Sequence, residues 1–232
     1  MADSYGLSFT APPDDRVIID SEFFRLMVIH KGRYTGTEES GNSSMTYFPT
    51  PFTTQEQPLI FIRPDSAAGN IGMANIEVYG SPGNWTGFRI RIFNNYTIKP
   101  VGRWFAGIFG SAPVAEFGAR IWGAGKKLVF DSGTPAALFV RATNNWAYTG
   151  SGQTGQGQTI TYFQAPFTMA EEEYVLINNM GVGVNTVGIE NNRQISFIWD
   201  YPNRTITVAA IGISGYNATF IGITILVARM TS

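Results

Sequence analysis

The sequence predicts an all-β protein: two tandem antiparallel β-sandwich domains, residues 1–114 and 115–232, related by internal duplication. Three observations lead there. Residues 45–62, MTYFPTPFTTQEQPLIFI, return at 160–177 as ITYFQAPFTMAEEEYVLI. Charged residues make up only 14% of the chain, against 26 glycines and 14% aromatic residues, a balance that fits turn-rich strands and neither disorder nor coiled coil. Short apolar runs are bounded by Gly, Pro or Asn, and no window of 11 or more residues carries a helical period with a cap.

The repeat is ungapped over its best stretch. Thr46, Tyr47, Phe48, Pro51, Phe52, Thr53, Glu56 and Ile62 match Thr161, Tyr162, Phe163, Pro166, Phe167, Thr168, Glu171 and Ile177 at one offset, 115. Tyr34-Thr35-Gly36 matches Tyr148-Thr149-Gly150 at offset 114, and Asp20-Ser21 matches Asp131-Ser132 at offset 111. Tyr5-Gly6 matches Phe117-Gly118 at offset 112. So small a drift is what short loop insertions produce, and a unit of about 115 residues is an ordinary domain size. The matched residues are apolar, aromatic, Pro and turn positions, so the repeat speaks of framework before chemistry.

The elements follow from local pattern. Runs 24–29, 59–62, 174–177, 195–199, 206–211 and 220–228 are apolar on both alternating sets, as strands covered on both faces are. Runs 75–79 and 88–92 alternate apolar and polar positions, giving one dry and one wet face. Ser81-Pro82-Gly83-Asn84 and Tyr201-Pro202-Asn203-Arg204 read as hairpin turns between strands. Glycine-rich segments 150–157 and 178–185 read as loops. The best helical candidates are short, 21–25 and 168–173. The boundary between copies falls at 111–116, where Gly110-Ser111-Ala112-Pro113 interrupts the strand cadence.

Composition narrows the function. Net charge is −1, with 9 basic and 10 acidic residues up to Ala115 and 7 of each beyond, so neither half makes a case for nucleic acid or an anionic membrane. With no cysteine there is no disulfide, thiolate metal site or cysteine nucleophile. The N-terminal residues lack a signal-peptide pattern, and the longest apolar run is broken by Gly222 and Thr224, so a soluble protein made in the cytosol is expected, without membrane insertion. Five Asn-x-Ser/Thr sequons, at Asn42, Asn84, Asn95, Asn203 and Asn217, read as turn chemistry.

Catalytic constellations are scarce. His30 is the one histidine and ends an apolar strand, which reads as a satisfied strand-end ring; no Gly-x-Ser-x-Gly elbow accompanies it. Carboxylates available for a glycosidase pair are Asp20, Glu22, Glu77, Asp131, Glu190 and Asp200. Asp20 and Asp131 are repeat-equivalent and precede Ser, which reads as an Asx-type turn. Glu171-Glu172-Glu173 reads as a solvated turn. The glycine-rich segments lack the Lys-Ser/Thr and helix of a phosphate loop. No catalytic residue, metal or cofactor is expected. Flat aromatic rings beside amides suit sugar binding, so Asn84 and Trp85, and Asn144, Asn145, Trp146 and Tyr148, are the candidate contact residues, both groups expected in loops.

The openings of both copies carry a resemblance. Tyr5-Gly6-Leu7 followed by Val17-Ile18-Ile19-Asp20-Ser21, and Phe117-Gly118-Ala119 followed by Leu128-Val129-Phe130-Asp131-Ser132, resemble small β-sandwich virion proteins of tailed bacteriophages. Phe48-Pro49-Thr50-Pro51 followed by Pro58-Leu59-Ile60-Phe61-Ile62-Arg63-Pro64 is similar to the same group. The resemblance implies a non-enzymatic structural component of the tail tip, baseplate or fibre-attachment region, assembled into the virion in the bacterial host cytoplasm. It implies other phage tail proteins as partners and self-association as a trimer or hexamer. A module binding a host-surface glycan and a capsid decoration protein are the alternatives. The segment Ala11-Pro12-Pro13-Asp14-Asp15 departs from the pattern, being longer and richer in proline than a simple turn.

Overall fold

The computed structural model describes residues 6–11, 15–20, 24–35, 43–65, 69–93, 101–180, 184–186, 189–212 and 221–231. They form eighteen strands: β1 Gly6–Ala11, β2 Asp15–Asp20, β3 Leu26–Tyr34, β4 Ser43–Phe52, β5 Leu59–Pro64, β6 Asn70–Ser81, β7 Asn84–Ile92, β8 Gly102–Phe109, β9 Arg120–Trp122, β10 Leu128–Asp131, β11 Ala137–Thr143, β12 Ala147–Gln153, β13 Thr159–Pro166, β14 Glu173–Leu176, β15 Val184–Thr186, β16 Ile189–Asp200, β17 Thr205–Gly212 and β18 Ile225–Met230. The one helical element among the described residues is a 3-10 turn, Ala124–Lys126. The chain is all-β, as expected, and the strand pairs are antiparallel. No helix among the described residues is long and apolar enough to cross a membrane.

One sheet of six strands runs β11-β18-β14-β5-β8-β3, and one of eight runs β12-β13-β17-β16-β6-β7-β4 with β15 beside β16. Hairpins β1–β2 and β9–β10 stand as two-stranded sheets. Each carries the aspartate of one Asp-Ser motif at a strand end, β2 ending on Asp20 and β10 on Asp131. Both large sheets draw strands from both halves of the chain. Two compact units are formed, one of Met1–Ile29, Gly107–Leu138 and Met230–Ser232, the other of His30–Ala106 and Phe139–Arg229. The division at 114 belongs to the repeat and is taken up as a proposal below.

The larger unit is a sandwich with an aromatic core. Trp104 of β8 meets Phe88 of β7 edge-on at 5.4 Å and Phe48 of β4 at 5.7 Å, joining the six-stranded sheet to the eight-stranded one. Since side chains alternate across a strand, Phe105 points to the opposite face. There it stacks on Phe61 at 4.6 Å and meets the Tyr174 ring at 5.0 Å. The six-stranded sheet is therefore apolar on both faces, which is why 59–62 and 174–177 read as continuous apolar runs. In β7, Phe88 and Ile90 are fully buried while Arg89 and Arg91 lie outward, Arg89 pairing with Glu77 at 2.8 Å. That is the dry and wet alternation read from 88–92.

Several local expectations change in detail. The 168–173 candidate helix is a turn leading into β14. Of the 21–25 candidate, residues 21–23 lie outside the described residues, and 24–25 are not helical. The start of the 150–157 glycine-rich segment is not loop: Gly150-Ser151-Gly152-Gln153 belongs to β12, the edge strand paired with β13. A register shift between Tyr148 and Gly150 marks a bulge, and Gly150 sits there at φ 150°. The turn that follows is held by Thr154, whose hydroxyl accepts the N–H of Gln156 and of Gln158.

In the smaller unit Asp131 organises the hairpin end. One carboxylate oxygen accepts the N–H of Gly133 at 2.9 Å, the Asx turn read from Asp-Ser, and that of Ala115 at 3.1 Å. The other takes the Arg120 guanidinium at 2.6 Å. Burial pushes the Asp131 carboxyl up, but the Arg120 bond and the two backbone N–H groups outweigh it and hold it below the usual carboxylate range. A depressed folded-state pKa contributes stability that is present above the unfolded value of about 3.9 and is lost as pH falls through the folded value. Urea unfolding followed downward from about pH 5 should show stability falling once pH drops below about 4, and Asp131→Asn should flatten that fall. An equally steep fall in the variant would remove Asp131 as its source.

Candidate contact surface

The two tryptophan groups meet different fates. Trp85 is 6% exposed near the start of β7, opposite Phe52 of β4, and its indole N–H donates to Thr54 O at 3.0 Å. Its ring is core and offers no face to a ligand; Asn84 beside it is exposed but lies at the tip of the β6–β7 hairpin, within a strand rather than a loop. The Asn-Trp-Thr string therefore reads as a buried anchor at a turn.

The second group stays open. Asn144 and Asn145 are exposed in the connection from β11 to β12, and Tyr148 of β12 is 52% exposed, its ring set edge-on to Phe163 at 6.0 Å. Trp146 is half-buried: its N–H donates to Ile223 O at 2.7 Å, which fixes the ring and spends its one polar handle. The backbone N–H of Trp146 closes on Asn144 O at 3.0 Å, a tight bend that turns both amides outward. Open amides beside a fixed indole and a phenol can accept and donate to hydroxyls and stack on a flat apolar face.

A second feature escaped the sequence. The turn at 168–173 is held by three arginines. Arg141 bonds Thr168 O and reaches both Glu173 carboxylate oxygens, at 2.9 and 3.5 Å, with its guanidinium 4.8 Å from the centre of the Phe167 ring. Arg63 donates to Ala170 O and Glu173 O, and Arg103 to Glu171 O at 2.7 Å. Glu173 also accepts the Ala170 N–H at 3.0 Å. The Arg141 bond, working against partial burial and aided by that N–H, holds the Glu173 carboxyl below its ordinary value. Glu171 and Glu172 are the solvated residues expected, while Glu173 is an anchor. Nothing in sequence links Arg63, Arg103 and Arg141 to one turn, because three different strands carry them.

The remaining candidates are structural. His30 stands in the middle of β3 rather than at a strand end, and its ring is satisfied there: Nε2–H donates to Thr50 O at 2.9 Å, with the ring against Phe48 and Phe52. Glu77 pairs with Arg89 and accepts from the Tyr79 hydroxyl at 3.1 Å, and Asp200 caps the Asn203 N–H at 3.0 Å. The side chains of Asp20, Glu22 and Glu190 lie outside the described residues. Among the described residues no three His, Cys, Asp or Glu side chains are grouped to hold a metal ion.

Large apolar side chains are open in both units. In the smaller one Phe109, Val114, Phe117 and Trp122 are more than half exposed, Phe117 at 91%. In the larger one Tyr47, Phe139, Val140 and Tyr148 are exposed. No protein-family model, curated protein or solved structure matches this chain.

Proposed function

We propose that the chain is a non-enzymatic structural component of a tailed-phage virion, in the tail tip, baseplate or fibre-attachment region. The observation that carries this is the number of large apolar and aromatic side chains left open on an antiparallel framework whose own core is filled. Single exposed apolar residues are ordinary, whereas exposed Phe, Trp and Tyr in this number are what interface cores use. The motif resemblance supplies the context: Gly6 pairs with Asp20 across the β1–β2 hairpin, and Phe117-Gly118 stands before the β9–β10 hairpin with Asp131-Ser132 at its end. Partners are other tail proteins and further copies of the chain, as a trimer or hexamer; nucleic acid and membrane insertion have no place in this reading.

Deleting the gene and imaging the particles tests the proposal. Defective tails are the expected result. Normal tails on capsids that lack a surface density would overturn it in favour of a capsid decoration protein. Light scattering on the purified protein reads the self-association directly.

A host-glycan contact is the second reading, favoured by the open Asn144, Asn145 and Tyr148 around a fixed Trp146. On an array of host polysaccharides the intact protein should bind, and Tyr148→Ala should lose at least about tenfold, the worth of roughly 1.4 kcal/mol of stacking and hydrogen bonding. No binding by the intact protein would end this reading. Trp85→Ala is no control here, since its ring is core.

A further inference from the structure

Strand order in the six-stranded sheet, and in the eight-stranded sheet apart from β12 and β15, reads alike from either end once the repeat is laid over it. In the eight-stranded sheet β13-β17-β16 meets β6-β7-β4, with β4 and β13 repeat-matched and each followed in the chain by the corresponding hairpin. In the six-stranded sheet β11-β18-β14 meets β5-β8-β3, with β5 and β14 repeat-matched. Where the two series meet in the six-stranded sheet, the matched strands β5 and β14 lie side by side and antiparallel. Phe61 faces Leu176, its own counterpart at the offset of 115. Ile62 faces Val175, the counterpart of Ile60, and Ile177 donates its N–H to Ile60 O at 2.9 Å. A residue facing its own counterpart, with mirrored pairs on either side, is what a two-fold axis through that pair produces.

Side chains repeat the relation. Arg63 donates to Glu173 O at 3.4 Å, and Asn178, which occupies the matching position, donates to Pro58 O at 2.9 Å, Pro58 being the match of Glu173. Thr46 and Thr161 are matched, and both bury a hydroxyl that has no partner among the described residues. Within the smaller unit, Gly110 N–H bonds Arg25 O at 3.0 Å and Thr231 N–H bonds Ala136 O at 2.7 Å. Arg25 and Ala136 are separated by the same offset, 111, as the two Asp-Ser motifs.

We propose that the chain is a covalently joined counterpart of a two-fold homodimer of a unit of about 115 residues, and that the surface joining the halves is self-complementary. That surface is the facing edges of β5 and β14 in one sheet and of β6 and β16 in the other. The partner it fits is a second copy of this chain, entered by exchange of halves. In the exchanged dimer β5 and β6 of one chain pair with β14 and β16 of the other, and only the connection between β8 and β9 changes course. Every cross-half pair is remade, so the closed form is favoured over the dimer only by the effective concentration of the linked halves, millimolar for a short linker.

The test uses full-length chains carrying two different tags. Unfolded together and refolded at rising concentration up to about 1 mM, they should give a dimer bearing both tags, with the circular dichroism of the monomer. Folded monomers mixed without unfolding should not give it. The chain has no cysteine, so Asn70→Cys with Asp200→Cys, an exposed and a half-buried residue facing one another across β6 and β16, locks the closed form when oxidised. The locked chain, unfolded and refolded without reductant, should remain monomeric. Refolding that yields monomer alone throughout the range, or a dimer that the locked chain forms equally well, would overturn the proposal.

Discussion

Phe61→Ala is expected to remove about 3–5 kcal/mol of folding stability, measured as the fall in the urea midpoint at constant slope. Phe61 is fully buried, stacked on Phe105 with ring planes 13° apart, and approached by Phe139 at 5.8 Å. It also sits in the central strand pair of the six-stranded sheet, where Val175 and Leu176 close against β5 and little backbone is free to collapse into the gap. Removing the ring forfeits transfer free energy and leaves a cavity, and the whole reserve of a domain is about 5–15 kcal/mol. Tyr148→Ala, half exposed on an edge strand, should cost no more than about 0.5 kcal/mol. Equal losses in the two variants would mean that the Phe61 ring is not part of the core.

Gly80→Ala should be nearly as damaging, for a reason that involves no lost contact. Gly80 has φ 118°, a conformation that L residues rarely adopt, at the point where β6 enters its hairpin. A Cβ there would lie 2.2 Å from Asn84 O and 2.7 Å from Trp85 Cα, both backbone atoms of the facing strand. Backbone strain and overpacking cost about 1–3 kcal/mol each, so a loss of about 2–6 kcal/mol is expected. Gly155→Ala is the counterpart: no atom lies within 4 Å of its added Cβ, and its φ is not in the left-handed region. That substitution should be neutral or stabilise by up to about 1 kcal/mol through the unfolded chain. Thermal unfolding of the pair separates the two cases at once.

The strands and hairpins were legible because their signals are local. Alternation in 88–92 and the turn strings Ser81-Pro82-Gly83-Asn84 and Tyr201-Pro202-Asn203-Arg204 each decide their own geometry within a few residues. Which strand lies beside which was not legible. Phe61 and Leu176 are far apart in sequence, and composition alone does not say that two matched apolar strands pair with one another. The contact residues divided on the same ground. An Asn-Trp string looks alike whether the indole plugs a core, as at Trp85, or is pinned half-open, as at Trp146. Only the position of a distant acceptor, Thr54 O or Ile223 O, settles which. The acidic run 171–173 reads as a solvated turn, which holds for Glu171 and Glu172; the anchoring of Glu173 and of the turn around it is not legible because the arginines arrive from β5, β8 and β11.

The bulge in β12 has a consequence for what this protein does when crowded. A straight outer strand presents its free amides in a line, and any extended segment of matching length can add to it and offer a fresh edge in turn. At Tyr148 and Gly150 that line is broken and the strand swings aside. Growth by strand addition stalls at the first step on this border of the sheet. Copies brought close together there are left with side-chain contacts, which saturate, instead of a ladder that propagates without end.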